Sequence, residues 1–238
     1  MSTDKDIQTQ MFEVGAHYGF AKARRHPSMR DFVFTTKNGT DIIDLSKTAE
    51  SFDAAKDFIK TFAQGEKKIL FVGVKAESKK IIKEAAEAIG ASYVVNRWVG
   101  GSLTNYSEIK KRIARLKEIR SMQESGDISK YTKKEQLLIE REATKLEIYF
   151  GGIQDMGRVP DLMVVVDPRH EHIAVMEAKK SNVKIIALAS TDCNISDIDY
   201  TIPANDGAIA SVTYFISGLV DAFKEGRANT PEVPSTDK

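Results

Sequence analysis

The sequence holds one cysteine, one tryptophan, little excess of charge of either sign, and no apolar run longer than a strand. A lone Cys193 excludes an internal disulfide framework and fits a reducing compartment. Runs such as residues 162–166 are too short to span a bilayer. The start, Met-Ser-Thr-Asp-Lys-Asp, has no apolar core of the signal-peptide kind, so a cytosolic protein is expected. Thirty-five Lys and Arg against 34 Asp and Glu leave a formal charge of +1, so any nucleic-acid surface must arise from local segregation of charge. Nucleotide-enzyme signatures are missing as well. Gly73-Val-Lys-Ala-Glu-Ser lacks the second and third glycines of a dinucleotide fingerprint, and neither a Gly-Lys-Ser/Thr loop nor a Gly-x-Ser-x-Gly elbow occurs. No enzyme, no cofactor and no small-molecule substrate is expected.

What is present is an ordinary soluble composition, 42% hydrophobic and 29% charged over 238 residues, enough for one large domain or a domain with an insertion. The chain is organised around residues 96–105, Asn-Arg-Trp-Val-Gly-Gly-Ser-Leu-Thr-Asn, which leave a short apolar strand and open a long helix. Gly100 and Gly101 permit the turn, and Arg97 and Trp98 bring a cation and a large ring to it. Such a ring can stack on a flipped base or wedge the turn against the sheet.

Hydrophobic periodicity orders the rest. Residues 7–14 form a short amphipathic helix, 32–36 and 40–44 a hairpin about Asn38-Gly39, and 47–63 a helix with a core-facing stripe. Strands at 69–72, 93–95, 162–166, 183–189 and 200–202 alternate with helices at 77–89, 172–181 and 208–225. Near-continuous apolar strands between helices predict a doubly wound parallel α/β sheet of about five strands. More than sixty residues separate the second of these strands from the third, far beyond an ordinary crossover. Two narrow apolar stripes fill them: Tyr106, Ile109, Ile113, Leu116 and Ile119, then Ile139, Ala143, Leu146 and Phe150. They predict an inserted antiparallel coiled-coil hairpin projecting from the sheet.

Two segments are strongly basic. Residues 17–30 carry Lys22, Arg24, Arg25 and Arg30, two histidines and no acid, and read as a loop able to clamp phosphate. Residues 108–120 carry Lys110, Lys111, Arg112, Arg115, Lys117 and Arg120 against Glu108 and Glu118, six cations to two acids. The candidate RNA-binding set is Lys22, Arg24, Arg25 and Arg30 of the first segment, Lys110, Lys111, Arg112 and Arg115 of the second, and Arg97, Trp98 and Asn105 between them. Asp167-Pro-Arg-His-Glu-His172 follows a strand, but its spacing matches no closed zinc site and predicts helix capping instead. His17, Asp192 and Asp206 are a further conceivable oxygen and nitrogen set with nothing in the sequence to bring them together. No metal is expected.

With those residues laid out, the chain resembles the bacterial small-subunit ribosomal protein S2 family. The resemblance rests on Gly15-Ala-His-Tyr-Gly19, Ile42-Ile-Asp-Leu-Ser-Lys-Thr48, Ile69-Leu-Phe-Val-Gly73 and the 96–105 stretch. It continues in order through Gly151-Gly-Ile-Gln-Asp-Met156, Pro160-Asp-Leu162, Glu171-His-Ile-Ala-Val-Met-Glu-Ala178 and Ile202-Pro-Ala-Asn-Asp206. It implies a flavodoxin-like parallel sheet, with residues 1–102 and 151–227 as a discontinuous α/β domain carrying an N-terminal helix and β-hairpin. Residues 103–150 would be the coiled-coil insertion, and 228–238, polar and proline-bearing, a disordered tail. It also implies a non-enzymatic constituent of the small ribosomal subunit that binds its ribosomal RNA. Implied partners are neighbouring small-subunit proteins, among them the large S-one protein that captures messenger RNA; no membrane is implied. The chain departs from the family pattern in two places: Phe20 stands where a second histidine is usual, and Arg25-His26 precede Pro27 where Trp-Asn is usual. Two other classes remain open from the residues alone, a nucleotide-dependent enzyme at the sheet's carboxyl edge and a protein adaptor working through the hairpin.

Overall fold

Side chains alternate between the two faces of a strand, and the chain uses this to build two cores on one sheet. A computed structural model describes residues 2–228. The central sheet has the parallel order β5-β4-β6-β7-β8, made from Ile69–Val72 (β4), Ser92–Val94 (β5), Leu162–Val166 (β6), Lys184–Ala189 (β7) and Tyr200–Pro203 (β8). Ile69 and Phe71, Leu162, Val164 and Val166, and Ile186 and Leu188 face one core. There they meet the helices Leu45–Ala63 (α2), Ala76–Glu87 (α3) and Ile209–Ala228 (α7). Leu70 and Val72, Met163 and Val165, and Ile185 and Ala187 face the other core. That core is covered by Tyr106–Ser125 (α4), Lys133–Phe150 (α5) and His172–Lys180 (α6). All five β6 residues are buried, as both-faced covering requires.

The first helix, Ser2–Glu13 (α1), leads to a smaller antiparallel sheet of order β1-β3-β2, from Tyr18–Ala21, Val33–Lys37 and Thr40–Ile43. The hairpin expected at Asn38-Gly39 is present, with φ of 51° and 78° at its two central residues, the left-handed pair that a tight two-residue turn needs. β1 is a correction to the reading of residues 17–30 as loop. It is short and half-exposed, and pairing with β3 holds it in place. The small sheet lies against the carboxyl edge of the large one. Phe20 N–H donates to Thr191 Oγ1 at 2.9 Å, His26 N–H to the Thr191 carbonyl at 2.9 Å, and Asn205 N–H to the Ala16 carbonyl at 3.0 Å. Gly19 is where the sheets meet, since a Cβ there would lie 2.6 Å from Thr191 Cγ2.

The two helices expected between the second and third parallel strands are there as α4 and α5. Thr132 and Glu135 form a reciprocal capping box that starts α5, and Gly126 in the left-handed region ends α4. The pair does not stand clear of the sheet as expected. Leu116 and Ile119, well along α4, are 1% and 0% exposed. Arg120 and Lys117 reach back to Gln154 and Asp155, in the segment leading to β6, at 2.8 and 3.3 Å. The tail expected to be disordered lies outside the described residues, apart from Ala228 at the end of α7.

Candidate nucleic-acid interface

The turn at 96–105 is built around a carboxylate contributed from another element. Glu177 on α6 accepts the indole N–H of Trp98 at 3.1 Å and the backbone N–H groups of Gly101, Leu103 and Thr104 at 2.8, 3.0 and 3.3 Å. The Thr104 hydroxyl adds a bond at 3.3 Å to the same oxygen that Leu103 and Thr104 reach. Exposed N–H groups at a turn entering a helix are an anion site, and here the anion is the protein's own. Burial pushes the Glu177 carboxyl up, but the hydrogen bonds from Leu103, Gly101, Trp98 and Thr104 outweigh it and hold the group below the ordinary glutamate value. Trp98 is 8% exposed and its ring lies in the second core, so of the two roles open to it the geometry provides the wedge.

The remaining candidates divide by what they touch. Lys22, Arg30, Arg97 and Arg112 are exposed and make no ion pair among the described residues; Lys110 lies over the Tyr106 ring at 5.3 Å. Asn105 is exposed at the start of α4, its side-chain oxygen accepting from the Ser107 hydroxyl at 3.3 Å. Other cations already have acids. Arg25 grips Asp41 through Nε at 2.6 Å and Nη2 at 2.5 Å and bonds Thr36 at 2.8 Å. This pairing, foremost the hydrogen bond from Arg25, holds the fully buried Asp41 carboxyl below its ordinary value. Lys111 pairs with Glu108 at 2.6 Å, and Arg115 with Glu118 at 2.9 Å and Glu142 at 3.3 Å. Lys117 meets Asp155, and Arg120 meets Glu147. The one-signed excess on α4 is therefore largely neutralised, much of it by acids arriving from α5 and beyond.

The carboxyl edge of the sheet is where open α/β folds take ligands, at the point where strand order reverses; here that point lies between β4 and β6. Lys75, after β4, fills it. Its ammonium pairs with Asp167, after β6, and stands 3.7 Å from Asp206. Arg24 and Arg169 both bond Asp192 Oδ2, Arg24 at 3.1 Å while its guanidinium lies 4.5 Å from the Phe20 ring centroid. Asp206 is fully buried, and neither carboxyl oxygen has a hydrogen-bond partner among the described residues. Burial, then the Asp167 charge, push it up to about 7 against the opposing pull of Lys75.

Asp167, Cys193 and Asp206 are the only three among the described residues whose potential ligand atoms converge, within 4.8 Å, and Lys75 brings positive charge to that place. Burial and the Asp167 and Asp206 charges drive the Cys193 thiol far up, away from the thiolate a metal needs. His17 is outside this group. Its ring stacks on Phe12 at a centroid distance of 4.4 Å with the Tyr18 ring tilted against it at 4.1 Å, and burial lowers its pKa. His170 bonds Glu171 at 2.7 Å and His172 is exposed, so the two histidines of that motif do not join either.

Sequence reasoning overlooked Glu177, Lys75, Arg169 and the cations of α5. The last were visible as Lys133, Lys134, Arg141 and Lys145 had α5 been counted separately from its acids. A family model described as ribosomal protein S2 matches residues 11–226 of the chain.

Proposed function

The chain belongs to the ribosomal protein S2 family, whose members are structural proteins of the small ribosomal subunit and not enzymes, and from that premise we propose how it binds ribosomal RNA. Contact with RNA, a property typical of the family, is made here through cations that form no ion pair among the described residues. Lys22 and Arg30 supply them from the small sheet, Arg97 from the turn, and Lys110 and Arg112 from α4. Structured RNA is met mainly through backbone and shape, so dispersed charge serves better than a base-reading motif. The observation that carries this reading is that these five side chains are exposed while the other basic candidates are engaged in ion pairs. Trp98 and Asn105 act at one remove, holding the turn from which Arg97 projects. Arg24, shared with Arg169 across Asp192, is a second-rank contact.

We read residues 103–150 as an insertion in one α/β domain formed by 1–102 and 151–227. The family resemblance supports a cytoplasmic, ribosome-bound location and docking of neighbouring small-subunit proteins, the S-one protein among them. No helix among the described residues is long and apolar enough to cross a membrane. The test is sedimentation: the chain should travel with small subunits in a low-salt gradient and leave them at high salt. Failure to sediment with them at low salt would overturn the RNA reading.

A further inference from the structure

α5 has two opposite faces, and only one has a partner among the described residues. At 100° per residue, Ile139, Ala143, Leu146 and Phe150 fall on the side packed into the second core. Leu137, Arg141, Thr144 and Ile148 fall on the opposite side, flanked by Lys134, Leu138 and Lys145 along one border and by Lys133 and Glu140 along the other. Leu137, Leu138 and Ile148 are 46%, 54% and 49% exposed. Leu137, Ile148 and their neighbours from Glu140 to Tyr149 line a shallow groove of about 430 Å³.

The charge on this face follows from how the hairpin is held together. Three of the four α5 acids are taken up inside it: Glu135 in the capping box, Glu142 by Arg115 and Glu147 by Arg120. Lys133, Lys134, Arg141 and Lys145 make no ion pair or side-chain hydrogen bond among the described residues, leaving four free cations against Glu140 alone. The result is an aliphatic stripe edged with positive charge, over roughly 22 Å of helix.

We propose that this outer face of α5 docks an acidic amphipathic helix of a partner protein. Aliphatic side chains gain nothing from phosphate, whereas a second helix buries them and sets its own Asp and Glu against the lysines and Arg141. Exposed apolar side chains in a line, with a border in which cations outnumber acids four to one, mark such a site. The proposal goes beyond RNA contact by α4 and stands whether or not that contact exists.

The test places the photoreactive residue p-benzoylphenylalanine at Leu137 in the full chain within intact small subunits, with a second chain bearing it at Lys110. After irradiation, mass spectrometry identifies what each probe joined. The Leu137 probe should join a protein segment of helical periodicity with more acids than bases. Arg141→Glu combined with Lys145→Glu should cut that adduct at least tenfold at unchanged helical circular dichroism. An adduct on RNA, on a second copy of this chain, or on nothing at all overturns the proposal. An independent measurement uses the purified chain and a fluorescein-labelled helical peptide of Glu and Leu at three- and four-residue spacing. Saturable binding, weakened at least fivefold by the same double substitution, is expected; equal binding to both proteins, or none, counts against the site.

Discussion

The carboxylate of Glu177 lies 3.1 Å from the indole nitrogen of Trp98, although 79 positions separate them in the chain. One side chain thereby holds the turn that joins the sheet to the hairpin. It fills an anion site that phosphate would otherwise suit, and the N–H groups of Gly101, Leu103 and Thr104 are already taken. In the function proposed above, the turn aims Arg97 and α4.

Removing that acceptor leaves several donors in or near the core without a partner. Glu177→Ala should cost about 3 kcal/mol in urea unfolding and lower the melting temperature by roughly 6–12 °C. Because the folded carboxyl sits below its ordinary value of 4.5, the stabilisation is complete above that pH and disappears as the pH falls through the lowered folded value. Glu177→Gln should therefore unfold with a flatter acid limb than the unaltered chain. An unchanged limb would show that the carboxylate is not held as described.

Basic residues of the N-terminal region should separate into two kinds. Arg25→Ala strips the fully buried Asp41 of its guanidinium and should destabilise by about 3–5 kcal/mol. Lys22→Ala and Arg30→Ala should change stability by about 0.5 kcal/mol or less, yet weaken association with the small subunit. Denaturant curves beside salt-gradient sedimentation measure both effects.

The cations of α4 divide in the same way. Replacing Lys110 and Arg112 together by Gln should lower the salt slope of RNA binding by roughly 1.4–1.8, the loss of two phosphate contacts. Replacing Lys111 and Arg115, whose charges are met by Glu108, Glu118 and Glu142, should lower it by less than half as much. Equal slopes for the two double variants would show that the ion pairs open on binding.

Asp206 offers a pH signature of opposite sign to Glu177. Its carboxyl is pushed up to about 7, so the folded chain holds a proton that the unfolded chain releases near 3.8. Stability should fall as the pH rises between those two values and level off above them. Asp206→Asn should remove that slope and raise stability at pH 8 by up to about 4 kcal/mol. Calorimetric scans at pH 5 and pH 8 measure the difference.

The parallel strands were legible because their cores are covered on both faces, which writes an apolar run such as Leu162–Val166 directly into the sequence. β1 was not, because Tyr18–Ala21 is half-exposed and owes its conformation to β3. The basic surface was legible only in part. A count along α4 sees six cations and two acids, but Glu142 and Glu147 cross from a helix that begins beyond the next turn. Glu177 was hidden for a similar reason. Beside Lys179 and Lys180 on α6 it reads as a solvated residue, and only the fold brings the turn to it.

The dependence of the turn on Glu177 also sets an order of events at birth. Thr104 leaves the synthesis machinery 73 residues ahead of the glutamate that will hold it. At about 5–20 residues per second, roughly 4–15 s pass in which the N–H groups of the turn are answered only by water. Within that interval α4 emerges first and α5 follows, both joined to the earlier chain by a turn whose acceptor has yet to appear. Whatever meets the nascent hairpin then meets a loose arm, and the arm locks only when α6 arrives.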